Sequence, residues 1–367
     1  MRHCHSHFFH KIRFSLFLAL FLIGFGIFCA AVCQCADSDT WIAQFFHESP
    51  TAIQAGEQNS NSAAGQSTSN DVNTDFENYI AELFRQEASA SLLNLHYTLE
   101  NPQAYQITEY QTSLGNYSAA SPALAAASAE NVLSALHQFD AQNLTTLNRQ
   151  TLEILTDSMN LTVAGGNFKY YDEPLTPTTG LQSQIPILLA EYTFRSRRDV
   201  TDYLTLLDQV DDYFASLLLY EQEKAAAGFL MPDVSLEKVR KQCDTIVTMQ
   251  ELAQGTHFLQ TTFEDRLVEL QAQGILSAEA VSSFLMENDR LLTTVVQPAY
   301  ATLSEGLYSL ETSDSAGQTS SISQASPGGI IDTSGALPKG LALLPDGKTY
   351  YHHLLFAETG SSRSEKE

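Results

Sequence analysis

Basic residues are scarce in this sequence of 367 residues, which holds 19 Lys and Arg against 43 Asp and Glu. The formal net charge at pH 7 is −24, and a surface of this sign repels nucleic-acid phosphates. We therefore predict no nucleic-acid partner. An acidic excess of this kind is typical of a surface that keeps a protein soluble, and it also suits a basic partner.

Cysteine is almost missing from the main part of the chain. Of the five cysteines, only Cys243 lies beyond position 35, so no disulfide framework can form there. Cys243 shares an apolar helical face with Val239, Ile246 and Val247. This pattern predicts a small buried side chain rather than a reactive thiol.

Catalytic signatures are missing too. The sequence contains no His-Glu-x-x-His zinc motif, no Gly-x-Ser-x-Gly nucleophile elbow and no phosphate-binding glycine loop. Ser235 and Lys238 match the Ser-x-x-Lys of penicillin-binding enzymes over four residues only, and we interpret Ser235 as a helix cap. His352 and His353 are adjacent, so their side chains diverge and do not favour a metal pair.

One basic cluster interrupts the acidic body, at Arg195, Arg197 and Arg198. Guanidinium groups can bind a substrate carboxylate. Asp199 and Asp202 follow directly, however, so solvated ion pairs with these aspartates are the favoured interpretation. We predict no catalytic, cofactor-binding or metal-binding residue in this chain.

The N-terminus has the pattern of an export signal. Basic residues precede the uncharged run 14–36 and aspartates follow it, which places the rest of the chain outside the membrane. The strongly apolar part, 14–32, is long enough either for a cleaved signal peptide or for a retained anchor helix. A lipoprotein signal needs a small residue before its cysteine, whereas Cys33 follows Val32. We predict an exported protein, at the outer face of the cytoplasmic membrane or extracellular.

The remaining sequence predicts an all-α, multi-helix array, because apolar residues recur at helical spacing and no strand pattern of similar quality occurs. Segments rich in Ser, Gly, Asn and Thr suggest flexible linkers. We expect the following division: a signal peptide or membrane anchor at 1–36, a flexible linker at 37–74, a helical body at 75–311, a Ser/Gly-rich loop at 312–340, and the start of a truncated C-terminal unit at 341–367.

The clearest helical pattern runs from Val200 to Gly228, with Asp199 as the expected N-cap. It predicts one helix with a single buried stripe that includes Leu204, Leu207, Phe214, Leu217 and Leu218. Other signals predict an N-cap at Asp75, a loop over 168–186, a helix start near Ser235, a capping box at Thr261 and Glu264, a cap at Ser277 and a kink at Pro298.

Several motifs resemble the bacterial domain-of-unknown-function family 885, from about Asp75 to the last residue. They are Leu95-His96-Tyr97 with Asn101-Pro102, the stretch from Thr176 to Pro186, Tyr192-Thr-Phe194, Asp199 to Leu204, Tyr220-Glu221 with Lys224 and Gly228, and Leu344 to Lys348 with Tyr350-Tyr351.

The resemblance implies a mostly helical protein similar to zinc metallopeptidases, with a His-Glu-x-x-Pro-Gly-His motif in the C-terminal half. Two His and a Glu of that motif would bind zinc and activate water. The motif is absent from this sequence, so no catalytic residue can be carried over. Gly180, Tyr203 and Tyr351 match family positions without an assigned role.

Two functional hypotheses follow. The first is the N-terminal portion of an exported metallopeptidase-like protein, inactive by itself; the alternative is a non-catalytic extracellular helical binding or structural protein. The expected partners are the membrane through the N-terminal segment, a missing C-terminal half and a peptide substrate. Zinc is implied only for the complete family domain.

Overall fold

The computed structural model describes residues 68–317 and 340–361. Regular structure in these two ranges is entirely helical, which confirms the predicted all-α, multi-helix fold. None of the helices described there is both long and apolar enough to cross a bilayer. The predicted signal or anchor segment at 1–36 lies outside the described residues.

The described chain divides into two units. The first contains residues up to Gln111 together with Ala123–Gly166, and the second contains Thr112–Pro122 and the residues from Asn167 onward. Helices of the first unit and its borders are α1 (Thr68–Ser89), α2 (Leu92–Thr98), a 3-10 turn (Pro102–Tyr105), α3 (Ser121–Leu136), a second 3-10 turn (Ala141–Asn143) and α4 (Thr146–Gly165).

The core of the first unit is built on one face of α1. Phe76, Ile80 and Phe84 recur every four residues on that face and are buried against apolar side chains such as Leu136 and Leu155. The helix already begins at Thr68, so the expected N-cap at Asp75 is wrong.

The second unit holds the larger helical array. Its elements are α5 (Leu181–Glu191), α6 (Arg197–Asp208), α7 (Val210–Ala226), α8 (Asp233–Ile246), α9 (Met249–Gln254), α10 (Phe258–Ala272), α11 (Ala278–Leu291), a π-helical turn (Leu292–Val296), α12 (Gln297–Gly317), a 3-10 turn (Gly340–Leu343) and α13 (Gly347–Thr359). Helix α12 packs against α7 and α8, and α10 packs against α11.

The long helix expected over 200–228 is in fact two helices, α6 and α7, separated at Gln209. The Gln209 side chain holds the segment beside it: its Oε1 accepts from the Leu114 amide at 2.9 Å, and its Nε2 donates to the Thr112 carbonyl at 3.0 Å. The sequence pattern missed the break because the apolar stripe continues through it.

The ends of this helix pair differ in part from the prediction. Ser196 caps α6, and Asp199 completes the capping box from the third helical position instead of serving as the cap. Gly228 follows α7 with φ of +85°, as a helix stop requires. Leu218 is only half-buried, beside Gly306. The other four predicted core residues are buried: Leu204, Leu207, Phe214 and Leu217.

A helix starts near Ser235 as predicted, although Ser235 is not its cap; the predicted start at Thr261 is wrong and the one at Ser277 is correct. Helix α8 begins at Asp233, so Ser235 lies in its first turn. Thr261 lies inside α10, whose cap is His257, with its imidazole accepting from the Leu259 amide. Ser277 caps α11 as predicted.

Helix α5 occupies the end of the stretch that was expected to be a loop, and it contains Pro186. A proline inside a helix leaves the carbonyl four residues earlier without its amide donor. Here that carbonyl belongs to Gln182, and the buried hydroxyl of Tyr300 on α12 donates to it at 2.5 Å. A tertiary hydrogen bond therefore replaces the missing helical one.

The expected kink at Pro298 takes another form. A π-helical turn at 292–296 separates α11 from α12, and Pro298 lies in the first turn of α12. The residue before it, Gln297, is helical and donates its amide to the Leu292 carbonyl, so the helical path continues from α11 into α12 with the widened π turn directly before the proline.

Candidate functional site

A buried lysine marks the most unusual electrostatic site of the second unit. Lys224 on α7 has no exposed surface. Lysine is almost never fully buried unless its ammonium is paired. Its ammonium Nζ lies 2.7 Å from Glu173 Oε2 and 3.9 Å from Glu221 Oε2. It also donates to the Asp172 carbonyl at 3.1 Å. We call Asp172, Glu173, Glu221 and Lys224 the lysine–carboxylate cluster.

Tyr220, Glu221 and Lys224 lie on one face of α7, so this helix supplies two hydrogen-bond donors, the Tyr220 hydroxyl and the Lys224 ammonium, and the carboxyl group of Glu221. The Tyr220 hydroxyl lies 3.2 Å from the Asp172 carbonyl and 3.4 Å from the Lys169 carbonyl, to which it donates. Side chains of α7 thus satisfy the backbone of the non-helical segment 168–173.

The cluster holds more acid than base, and burial changes its proton affinities. Desolvation raises the pKa of Glu221 to about 7, although the ammonium of Lys224 opposes the shift. Burial also raises the pKa of Asp172 and, strongly, that of Tyr220. Oε1 of Glu221 is buried and accepts no hydrogen bond from the described residues. Glu221 is therefore a carboxyl group that can gain or lose a proton near neutral pH.

Aromatic rings connect segment 168–173 to α13. Tyr171 lies against Tyr350 with 3.9 Å between ring centroids, and Phe168 contacts Tyr350 at 5.0 Å and His353 at 5.1 Å. The Tyr171 hydroxyl donates to the carbonyl of Pro345, just before α13. Desolvation lowers the pKa of His353, so its ring favours the neutral form.

The arginine cluster belongs to α6 and its entry. Arg198 lies 3.7 Å from the Asp202 carboxylate, so this expected ion pair forms, but Asp202 is buried rather than solvated and also accepts from the Thr112 hydroxyl at 3.0 Å. The carboxylate of Asp199 instead accepts from the backbone amides of Arg195 and Ser196. The guanidinium of Arg197 lies 5.2 Å from the Phe284 ring centre. The guanidinium groups of Arg197 and Arg198 thus lie against protein side chains.

Cys243 is 2% exposed on α8, which confirms its prediction as a buried side chain. Burial raises the pKa of its thiol to about 12, so little of the reactive thiolate forms at neutral pH.

Two of the three positions matched to the family have clear packing roles. A Cβ on Gly180 would lie 2.3 Å from the Thr176 amide nitrogen, so only glycine fits the entry of α5. Tyr203 is fully buried and packs against Phe263, with 5.0 Å between ring centroids. Tyr351, by contrast, is 43% exposed on α13.

Sequence reasoning singled out neither Glu221 nor Lys224 as a site, although both were quoted for the family resemblance. A usable signal existed. The inward face of α7 continues from Phe214 and Leu217 into Glu221 and Lys224, so the apolar periodicity itself predicts burial of an acid and a base.

The described residues do not fit a zinc centre. In the ranges 68–317 and 340–361, no three His, Cys, Asp or Glu side chains converge in a way that could hold a metal ion. His353 packs on Phe168, and the neighbouring His352 makes a ring contact with Tyr351. Within the cluster, Lys224 already occupies the space between the carboxylates.

These features define an all-α protein with a buried lysine–carboxylate cluster beneath its last described helix. Residues 103–367 match the model of a family described as bacterial protein of unknown function (DUF885), and the chain belongs to that family. No curated protein sequence matches the chain.

A solved structure with a similar fold comes from Colwellia psychrerythraea, where the protein is provisionally described as a lipoprotein. The match has a TM-score of 0.57 at 17% sequence identity. It covers 81% of this chain and 47% of the other, so the present chain spans about half the length of that protein.

Proposed function

We propose that this chain is the N-terminal portion of an exported DUF885 protein that resembles a zinc metallopeptidase, and that this portion has no peptidase activity alone. The observation that carries the proposal is the family match over 103–367 in a sequence without His-Glu-x-x-Pro-Gly-His. The activity implied for the family would then reside in residues supplied by a C-terminal half.

The solved relative supports a larger whole, because more than half of its chain has no counterpart here. In such a whole, the present helices would be a scaffold that positions a peptide substrate and the metal-binding half. The provisional description of that relative as a lipoprotein, together with the uncharged run 14–36, supports export.

The test begins with the DNA that adjoins the coding sequence. We expect the reading frame, or a shifted one, to encode His-Glu-x-x-Pro-Gly-His. The full chain, purified in mild detergent, is then assayed on a fluorogenic peptide library, alone and together with that downstream product. The pair should cleave peptides in a manner blocked by a zinc chelator, and the chain alone should not.

A matched control replaces the Glu of the downstream motif with Gln, which should abolish the activity of the pair while leaving zinc bound. Peptide cleavage by the chain alone would contradict the proposal. Adjoining DNA without the motif would favour the alternative, a non-catalytic extracellular helical binding or structural protein.

A further inference from the structure

We propose that Glu221 and Lys224 form a proton-controlled latch for α13: with Glu221 protonated, Lys224 holds segment 168–173 against α7, and ionisation of Glu221 loosens that segment and the helix seated on it. The latch lies wholly within the second unit. It is independent of the proposed peptidase relationship.

Helix α13 depends on segment 168–173 for its packing. Only Gly347 of this helix is buried, and its other described side chains are half-buried or exposed. Its ring contacts reach Phe168 and Tyr171 of the segment. A helix with so little burial opens at a low free-energy cost, and loss of these contacts should release it.

Lys224 holds segment 168–173 against α7. Its ammonium contacts both the Glu173 carboxylate and the Asp172 carbonyl, while Glu221 Oε2 is 3.9 Å away, beyond hydrogen-bonding distance. This arrangement suits a neutral Glu221, since the ammonium is then fully used by the segment.

Once ionised, Glu221 competes with segment 168–173 for the ammonium of Lys224. Glu221 carries a buried oxygen that accepts no hydrogen bond from any described residue. A buried carboxylate must acquire donors, and the nearest ammonium is that of Lys224. Movement of Nζ toward Glu221 would weaken its contacts with Glu173 and Asp172. The carboxylates of Glu173 and Glu221 would then share one ammonium and repel each other.

The pH response of Glu221 must be distinguished from that of the other titratable groups around the cluster. They are Tyr220 and Glu223 on α7; Lys169, Tyr170 and Tyr171 in the adjoining segment; Tyr117, whose ring lies 4.8 Å from that of Tyr220; and Tyr350 and His353 on α13. Burial raises the pKa of Tyr350 to about 12 and lowers that of His353 from 6.5. Neither shift moves the titration of these two groups toward the interval between about pH 6.5 and 8, where Glu221 is expected to ionise.

The experiment is hydrogen exchange, read by mass spectrometry, on the full chain in mild detergent at about pH 6.5 and about pH 8. After correction for intrinsic exchange rates, peptides from α13 should exchange about tenfold faster at the higher pH. They should also exchange faster than peptides from α10 at both pH values, because α13 opens locally.

Variants identify the group responsible. Glu221→Gln should keep α13 protected at both pH values, whereas Glu223→Gln, an exposed change on the same helix, should behave as the wild type. Glu173→Gln should expose α13 at both pH values because it removes the 2.7 Å partner of Lys224. His353→Gln should retain the pH response.

Three outcomes would overturn the latch. The first is wild-type exchange of α13 that does not change with pH. The second is a full pH response in Glu221→Gln. The third is equal protection of α13 and α10 at both pH values, which would show that α13 opens only by global unfolding. If Glu221→Gln does not fold, the wild-type response and Glu173→Gln still decide the question.

Discussion

At the scale of single residues, the second unit contains a charged group where its helix pattern demands an apolar one. Lys224 and Glu221 lie on the inward face of α7, and neither is more than 1% exposed. Pairing lowers the cost of burying them but does not remove it. Their side chains should therefore affect stability more than exposed charges do.

Removal of the ammonium tests this directly. Lys224→Met should lower the free energy of unfolding by roughly 3 to 5 kcal/mol, because the carboxylates and the Asp172 carbonyl lose a buried partner. Lys238→Met, at an exposed lysine on α8, should change it by less than about 0.5 kcal/mol. Urea unfolding measures both values, and equal effects would contradict the burial of Lys224.

The raised pKa of Glu221 makes stability depend on pH with a defined sign. The folded chain binds this proton more tightly than the unfolded chain, so stability falls as pH rises from about 4.5 through about 7. Glu221→Gln should remove a fall of roughly 3 kcal/mol over that interval. Urea unfolding at several pH values measures it, with Glu223→Gln as the control. A variant less stable than the wild type above pH 7 would contradict the assignment.

At the scale of helices, one tertiary hydrogen bond replaces a backbone hydrogen bond that is missing inside α5. Pro186 deprives the Gln182 carbonyl of its amide donor, and Tyr300 supplies a hydroxyl from α12. The sequence pattern favoured a loop here because proline signals a helix break, and the compensating donor lies 118 positions away.

A double-mutant cycle tests this compensation. Tyr300→Phe should cost about 1 to 3 kcal/mol, because it leaves the buried carbonyl of Gln182 without a donor. In a Pro186→Ala background the same change should cost less, since the substituted residue has a backbone amide that can donate within the helix. Tyr308→Phe, at a 52% exposed position on α12, is the control. Additive effects in thermal unfolding would contradict the link.

Helix existence was predictable from the sequence, whereas several helix ends were not. The stripe of Leu204, Leu207, Phe214 and Leu217 correctly predicted buried faces, because apolar periodicity reflects burial directly. The break at Gln209 was missed because the apolar stripe continues through it, while the side chain of Gln209 bonds to residues nearly a hundred positions away. Sequence spacing does not encode such contacts.

At the scale of the whole molecule, the family match agrees with the resemblance seen in the sequence, and the structure confirms the helical class. The lysine–carboxylate cluster was not recognised from the sequence, because Asp172 and Glu173 lie in a segment distant from α7. The family resemblance quoted Glu221 and Lys224 without assigning them a role. Their burial depends on the fold that brings that segment to the helix.

We propose that the metal-binding part of a metallopeptidase-like protein does not lie in this chain, and zinc content tests this proposal most directly. A catalytic zinc needs about three protein ligands. The measurement is elemental analysis of the chain purified without its first ten residues, which contain four histidines and a cysteine. We predict well below one zinc per chain. About one tightly bound zinc per chain would contradict the account.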